Sequence, residues 1–410
     1  MPPQQTLSDR LVDVEQTYFR KGFGLRQEIE GDLAAYHSRL VDRVRADGHR
    51  LAAGDLTFLL AKEFGFCYGV DRAVEYAYET RRKFPDRRVW LAGEIIHNPH
   101  VNAELEGRGI AILRPGPDGA FDYSDVRAED VVLLPAFGVT VRDFSRLRET
   151  GCVLVDTTCG SVLNVWKRVE RYAQDGFTAV VHGKHYHEET KATVSQVTRY
   201  AGGTYLVVRD MAEADVLCRF IERADNLDAM ARTFDGRVPP GFDFARDLER
   251  IGVANQTTML ANESLAIARR VGEALGRRYG AENLEAHFRS FDTICSATQE
   301  RQDAVVELIQ QPLDVMIVIG GYNSSNTNHL AKICAARRRT YHVADASCIE
   351  PEAGRIRHKP PDASGEIAED GWLGPDVHVI GITAGASTPN NKIGEAIERV
   401  LATRGVAISG

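Results

Sequence analysis

The chain has no apolar run of membrane-spanning length, no Cys-X2-Cys pair, no His-Glu-X-X-His pattern, no low-complexity tract and no surplus of positive charge. Each absence removes a class. Without about 20 consecutive apolar residues, no helix is predicted to cross a bilayer. The opening MPPQQTLSDRLVDVEQTYF lacks the apolar centre of a secretory signal, and its acidic residues disfavour an organelle transit peptide, so a cytoplasmic location is expected. Close cysteine pairs mark structural zinc knots and ferredoxin-type electron carriers, and neither is predicted here. A formal net charge of -8 gives no general attraction for nucleic acid. Seven cysteines among 410 residues do not make a disulfide scaffold; a reducing compartment fits better.

What is present is a globular composition, 43% hydrophobic and 26% charged, with length for roughly two to four compact lobes. Residues 1–53 read as a polar, helix-rich extension. Leu33, Tyr36, Leu40 and Val44 recur at helical spacing on one face, suited to covering the main body or a partner subunit in a homodimer. From Leu56 onward short apolar runs alternate with amphipathic stretches, VWLAGEII, VVLLPAFGV, VLVDTT, AVVHGK, TYLVV, IGVANQ, VMIVIGG and VHVIGITAG being the plainest strands. Such alternation predicts an α/β fold with mainly parallel sheets. Near 225–247, Gly236, Pro239, Pro240 and Gly241 break the periodicity and predict a loop insertion.

Three cysteines share one local context. Cys67, Cys159 and Cys295 each end an apolar run and each precede a helix-forming stretch; two of them close an Asp-Thr-X-Cys sequence, at Asp156 and Asp292. A cysteine at a helix N-terminus meets the positive end of the backbone dipole, which favours the thiolate and soft-metal binding. Three converging thiolates would hold an iron-sulfur cluster with one iron left open. The alternative is three buried, unreactive thiols.

The polar residues gather at strand ends, where ligands bind in α/β folds. Asn323, Ser324, Ser325 and Asn326 follow a buried strand and two glycines, a cradle suited to phosphate, although one such residue also serves as a helix cap. Ser387, in a Gly-Ala-Ser turn after Gly385, is a second candidate for the same anion. His182, Lys184, His185, His187, Glu188 and Glu189 follow another strand. His187 and Glu189, two apart, would face one side of an extended turn and offer an anion contact and a proton source. His97 and His100 follow a further strand, and Gln256, Thr257 and Thr258 another. Zinc is the competing use of these histidines and acids.

The motifs GFCYGVDRAV, EIIHNPHV, DTTC, HEET, NQTT, DTIC, NSSN and TAGAS occur here in the order seen in the 4-hydroxy-3-methylbut-2-enyl diphosphate reductase family, which the chain resembles from about Leu56 to Leu401. The resemblance implies three small α/β lobes in pseudo-threefold arrangement around one 4Fe-4S cluster, here divided as 54–158, 159–290 and 291–410. It implies Cys67, Cys159 and Cys295 as cluster ligands. It makes His97, His187, Thr257, Ser324, Ser325, Asn326 and Ser387 substrate contacts, with Glu189 relaying protons and Thr257 orienting the substrate hydroxyl. Cys152, Cys218, Cys334 and Cys348 would be dispensable for ligation. Phe137 departs from the pattern, standing where many bacterial members carry histidine. That change, the extension with FRKGFG and the HEET sequence resemble the plant and cyanobacterial branch, which implies reduced ferredoxin, or flavodoxin, as electron donor. An aconitase-like hydro-lyase and a nonenzymatic iron-sulfur sensor are the rival classes.

Overall fold

The structure, a computed structural model, describes residues 17–117, 119–291 and 293–406. Three sheets dominate it. The first runs Tyr18–Phe19, Val153–Asp156, Val131–Leu134, Val89–Ala92, Ile110–Leu113 in spatial order, all parallel. The second runs Phe288–Ser290, Ile251–Asn255, Thr178–His182, Tyr205–Val208, again parallel. The third runs Arg339–Val343, Val315–Ile319, Val379–Ala384, Leu56–Leu60, Arg50–Ala53, with only the last pair antiparallel. A small antiparallel ribbon, Ile349–Glu350, Arg355–His358 and Ile367–Asp370, completes the described strands.

The central strands explain why the sequence shows apolar runs rather than alternation. Val131–Leu134, Val153–Asp156, Thr178–His182, Ile251–Asn255 and Val315–Ile319 are buried at every position, as strands covered by helices on both faces must be. In the first lobe Val89, Leu91, Val131 and Leu133 pack on Ala73, Val74 and Ala77 of the helix Tyr68–Lys83. In the second, Val165, Val169 and Tyr172 of the helix Gly160–Gln174 pack on Ala179 and Val181. Each cysteine-headed helix therefore starts at a lobe junction. Among the described residues no helix is long and apolar enough to cross a membrane.

The lobe limits differ from those expected. Leu56–Leu60 does not open the first lobe: it pairs with Val379–Ala384 and Arg50–Ala53 in the third sheet, so residues about 50–60 join the C-terminal lobe. The extension is not one helix with one apolar face. Ser38 caps a second helix, Arg39–Ala46, through its side chain, and the chain turns between this helix and Arg26–Ala34. Leu33 and Tyr36 consequently pack on the first lobe, Leu40 and Val44 on the third. The expected loop near 225–247 contains two short helices, Leu227–Thr233 and Phe244–Asp247, because Met230 and Phe234 are buried against the second lobe. Residues 1–16 of the extension lie outside the described residues.

One carboxylate, that of Glu79, holds the backbone at the C-terminal end of the FRKGFG segment. Glu79, 1% exposed, accepts from the backbone N–H groups of Phe23 at 2.5 Å and Leu25 at 2.7 Å. A side chain at position 22 would strike Glu79 and Tyr76, which is why glycine stands there. Replacing Glu79 by Ala leaves two backbone donors unpaired. It should cost about 2–4 kcal/mol in denaturant unfolding and speed tryptic cleavage after Arg20 and Lys21, with far-ultraviolet dichroism little changed; parent-like proteolysis would show that the edge strand and the aromatic contacts hold the segment without Glu79.

Candidate active site

Cys67, Cys159 and Cys295 occupy the N-cap positions of the helices Tyr68–Lys83, Gly160–Gln174 and Ser296–Leu308, each with extended backbone. Each is fixed in the same way. The N–H of Cys67 donates to Ala386 at 3.2 Å, that of Cys159 to Ala136 at 2.8 Å, that of Cys295 to Thr257 at 3.4 Å. Every acceptor lies two residues past the end of a strand, Val379–Ala384, Val131–Leu134 or Ile251–Asn255. Threefold pseudosymmetry is thus written into the hydrogen bonding.

The sulfurs converge. A Cβ on Gly69 would lie 2.5 Å from Cys159 Sγ and 4.0 Å from Cys67 Sγ, so only glycine lets both sulfurs approach that point. Ser161 Oγ donates to Cys295 Sγ at 3.3 Å. Arginines brace the junctions: Arg301 donates to the carbonyls of Gly65 and Phe66 beside Cys67, and Arg72 to that of Thr158 beside Cys159. All three thiols are free and partly exposed, whereas Cys152, Cys218, Cys334 and Cys348 are buried elsewhere. Burial pushes the Cys67 thiol upward despite the Val70 backbone N–H and Arg301, so the dipole alone does not ionise it. A soft cation displacing the proton would.

Cys67, Cys159 and Cys295 line one cavity of about 100 Å³ together with His97, His187, Glu189, Thr257, Ser324, Ser325, Asn326 and Ser387. Every expected site residue therefore faces it. Glu189 is wholly enclosed and accepts two hydrogen bonds from Thr257, from its N–H at 2.6 Å and from its hydroxyl at 3.0 Å. Burial raises its pKa to about 7, against the lowering effect of those bonds and of His97. His187 and Glu189 do not share a face of an extended turn. His187 caps the helix Glu188–Ser195, its Nδ1 accepting from the Glu189 N–H at 3.1 Å, and the cap brings both side chains to the cavity.

That cap fixes the His187 tautomer. Burial, then nearby cationic groups, hold its pKa well below the usual range, so the ring is neutral and its proton sits on Nε2. Nε2 has no hydrogen-bond partner among the described residues, and the same is true of Ser325 Oγ and Asn326 Nδ2; His97 Nε2 has only Glu188 Oε2, 3.6 Å away. Asn326 is oriented by the Ala386 N–H, which donates to its Oδ1 at 2.9 Å. His97 Nδ1 lies 2.9 Å from Glu94, which also accepts from Asn323. Ser324 does act as a helix cap, accepting from Thr327 N–H at 3.3 Å, while Ser387 Oγ donates to the His97 carbonyl at 3.2 Å. His97, His187 and Glu188 come close enough to hold a cation. A proton on His187 Nε2 and the amide hydrogens of Asn326 suit an oxyanion better.

Phe137 lies face-on against His97, ring centroids 4.4 Å apart at 14°, and edge-on to His187. It takes no part in hydrogen bonding and instead packs the histidine rings in place. Of the other candidates, His182 is a core residue bonded to Ser264, His100 lies against Tyr36, and Gln256 ties Lys184 N–H to Thr190. Ser161 and Glu94 were not anticipated. Only the small residues after Cys159 hinted at the first. A larger cleft of about 1030 Å³ shares His97, Phe137 and His187 as wall but contains none of the three thiols.

Residues 58–401 match the LytB protein family. The chain is 46% identical to the 4-hydroxy-3-methylbut-2-enyl diphosphate reductase of Thermosynechococcus vestitus over 97% of this chain and 98% of that protein. It is 48% identical to the enzyme of the same name from Synechococcus sp. (strain RCC307), over 96% and 95%. A solved (E)-4-hydroxy-3-methyl-but-2-enyl diphosphate reductase, described as the terminal enzyme of the non-mevalonate pathway, superposes with TM-score 0.51 at 26% identity, covering 84% of this chain and 98% of that one. The Plasmodium falciparum E-1-hydroxy-2-methyl-but-2-enyl-4-diphosphate reductase superposes with TM-score 0.61 at 20% identity, over 84% and 87%, a likeness of fold. With a family match across most of the folded chain and cyanobacterial relatives aligned nearly end to end, the chain belongs to the LytB protein family.

Proposed function

We propose that this chain reduces 4-hydroxy-3-methylbut-2-enyl diphosphate to isopentenyl and dimethylallyl diphosphate. One observation carries this: the unpartnered donors of His187, Ser325 and Asn326 line the same small cavity as three N-capping thiols and an enclosed carboxyl group. The conversion consumes two electrons and two protons; the carbon–oxygen bond breaks and the oxygen leaves as water. A 4Fe-4S cluster held by Cys67, Cys159 and Cys295 would supply the electrons and a Lewis-acidic iron. The remaining work falls to the side chains.

His97, His187, Ser324, Ser325, Asn326 and Ser387 bind the diphosphate, spending binding energy away from the reacting carbon and fixing the allylic end near the thiols. Thr257 holds Glu189 by two bonds and so keeps its carboxyl group aimed at the substrate hydroxyl. With a pKa of about 7, Glu189 carries a proton much of the time at neutral pH and gives it to the departing oxygen. A cytoplasmic location and a reduced ferredoxin or flavodoxin as donor belong to this reading; the cyanobacterial relatives support the branch for which that donor is expected. A homodimer through the extension gains no support from its described apolar residues, which pack on their own chain.

Anaerobic purification with iron and sulfide analysis, followed by turnover with a chemical reductant, tests the proposal: a loaded protein that leaves the substrate untouched would refute it. Cys67→Ser, Cys159→Ser and Cys295→Ser should each lower iron content and abolish turnover, whereas Cys218→Ser and Cys334→Ser should keep both.

The proton donor sets a pH limb. Glu189 acts while protonated, so kcat should fall as pH rises through about 7. Glu189→Gln should lower kcat by roughly 10²- to 10⁴-fold and erase that limb; a parent-like profile would assign the proton to another group.

Binding of inorganic diphosphate isolates the cradle. Each hydrogen bond to a charged partner contributes about 1.5–3 kcal/mol, and 1.4 kcal/mol is tenfold in affinity. Asn326→Ala and His97→Ala should therefore raise Kd by roughly ten- to a hundredfold with iron content unchanged, and normal affinity in both would place the anion elsewhere.

A further inference from the structure

The N-terminal segment reaches the cysteine site through one carboxylate. Thr17 to Phe19 add an edge to the first sheet: Leu154 N–H donates to the Thr17 carbonyl at 2.7 Å, and Tyr18 and Phe19 pair with Leu154 and Val155. This register sets Tyr18 beside Asp156, the first residue of the Asp-Thr-Thr-Cys sequence. Tyr18 Oη donates to Asp156 Oδ2 at 2.7 Å, and Arg20 Nε lies 3.4 Å from the same oxygen. The other oxygen, Oδ1, accepts from Thr158 N–H at 3.0 Å and Thr158 Oγ at 2.5 Å. Asp156 is only 7% exposed. Thr157 is bonded to Leu134, so the whole turn before Cys159 is fixed from both sides.

Before Cys295, among the described residues, Thr293 Oγ donates to Asn255 Oδ1 at 2.6 Å and accepts from the Asn255 N–H at 3.0 Å. A buried carboxylate three residues from a cluster ligand raises the cost of adding an electron nearby, and a donor on that carboxylate offsets part of this cost. Burial and Asp156 push the Tyr18 phenol far above its usual pKa, so it remains a donor.

We propose that Tyr18 and Asp156 are positioning residues that aim Cys159 and set the potential of the centre it helps to hold. Their influence passes through Thr158; neither touches substrate. The proposal rests on the cluster reading above. It assigns to the extension a part in the redox chemistry in addition to its packing.

Two conservative variants test it. Tyr18→Phe keeps the ring that stacks edge-on with Phe144 at 5.6 Å and removes only the donor. Asp156→Asn keeps an acceptor for Thr158 and removes the charge, and its Nδ2 then faces Tyr18, whose phenol oxygen can accept. In redox titration of the loaded protein, Tyr18→Phe should move the midpoint potential to more negative values and Asp156→Asn to less negative values. The double variant should match Asp156→Asn. In the cluster-free protein, Tyr18→Phe should speed alkylation of Cys159 severalfold relative to Cys67 and Cys295. Equal potentials in all proteins, or shifts of one sign in both single variants, would overturn the proposal. Absence of any iron-sulfur signal in the parent chain would overturn the functional reading instead, and the alkylation rates would then decide: an unchanged Cys159 rate would sink the positioning claim on its own.

Discussion

Everything at this site depends on three helix N-termini meeting at three thiols. Cys67, Cys159 and Cys295 are each held by their own N–H on a carbonyl two residues beyond a neighbouring strand. This ties each cysteine to a sheet rather than to a free loop. Two buried or half-buried arginines then cross from one cysteine helix to the backbone just before the next cysteine. These bonds fix all three N-caps through protein contacts alone, which suits the proposed centre held by three protein ligands.

The same repeated plan brings the donor side chains and the enclosed carboxyl group to one cavity. In each lobe a second strand end leads into a second helix: Pro99–Gly107 after His97, Glu188–Ser195 after His187, Ser325–Ala335 after Ser324. Their N-termini bring the unpartnered donors of His187, Ser325 and Asn326 to the cavity wall. Burial acts oppositely on two neighbours there. It keeps His187 neutral, so that the ring donates from Nε2, and it keeps a proton on Glu189 near pH 7. A donor array for an anion and a carboxyl group able to protonate a leaving oxygen thus arise from one desolvated pocket.

Much of this was legible in the sequence, for identifiable reasons. Fully buried parallel strands write themselves as apolar runs, and a cysteine set between an apolar run and a helix-forming stretch is a local pattern. The cavity-facing role of Glu189 and Asn326 could be read because the motifs occur in family order. What local pattern could not show was strand partnership at a distance: Leu56–Leu60 reads as the start of the first lobe yet pairs with Val379–Ala384. The break at Ser38 was hidden because Leu33, Tyr36, Leu40 and Val44 keep helical spacing across a turn. Glu94 and Ser161 act through contacts between lobes, with Asn323 and Cys295, and such contacts leave no periodicity.

The central claim is that three thiols hold a cluster whose unliganded iron faces the diphosphate cradle. Mössbauer spectroscopy of the iron-57-loaded protein, with and without 4-hydroxy-3-methylbut-2-enyl diphosphate, tests it most directly. One iron site should differ from the rest and should change its isomer shift when substrate is added. Equivalent irons that ignore the substrate would contradict the account.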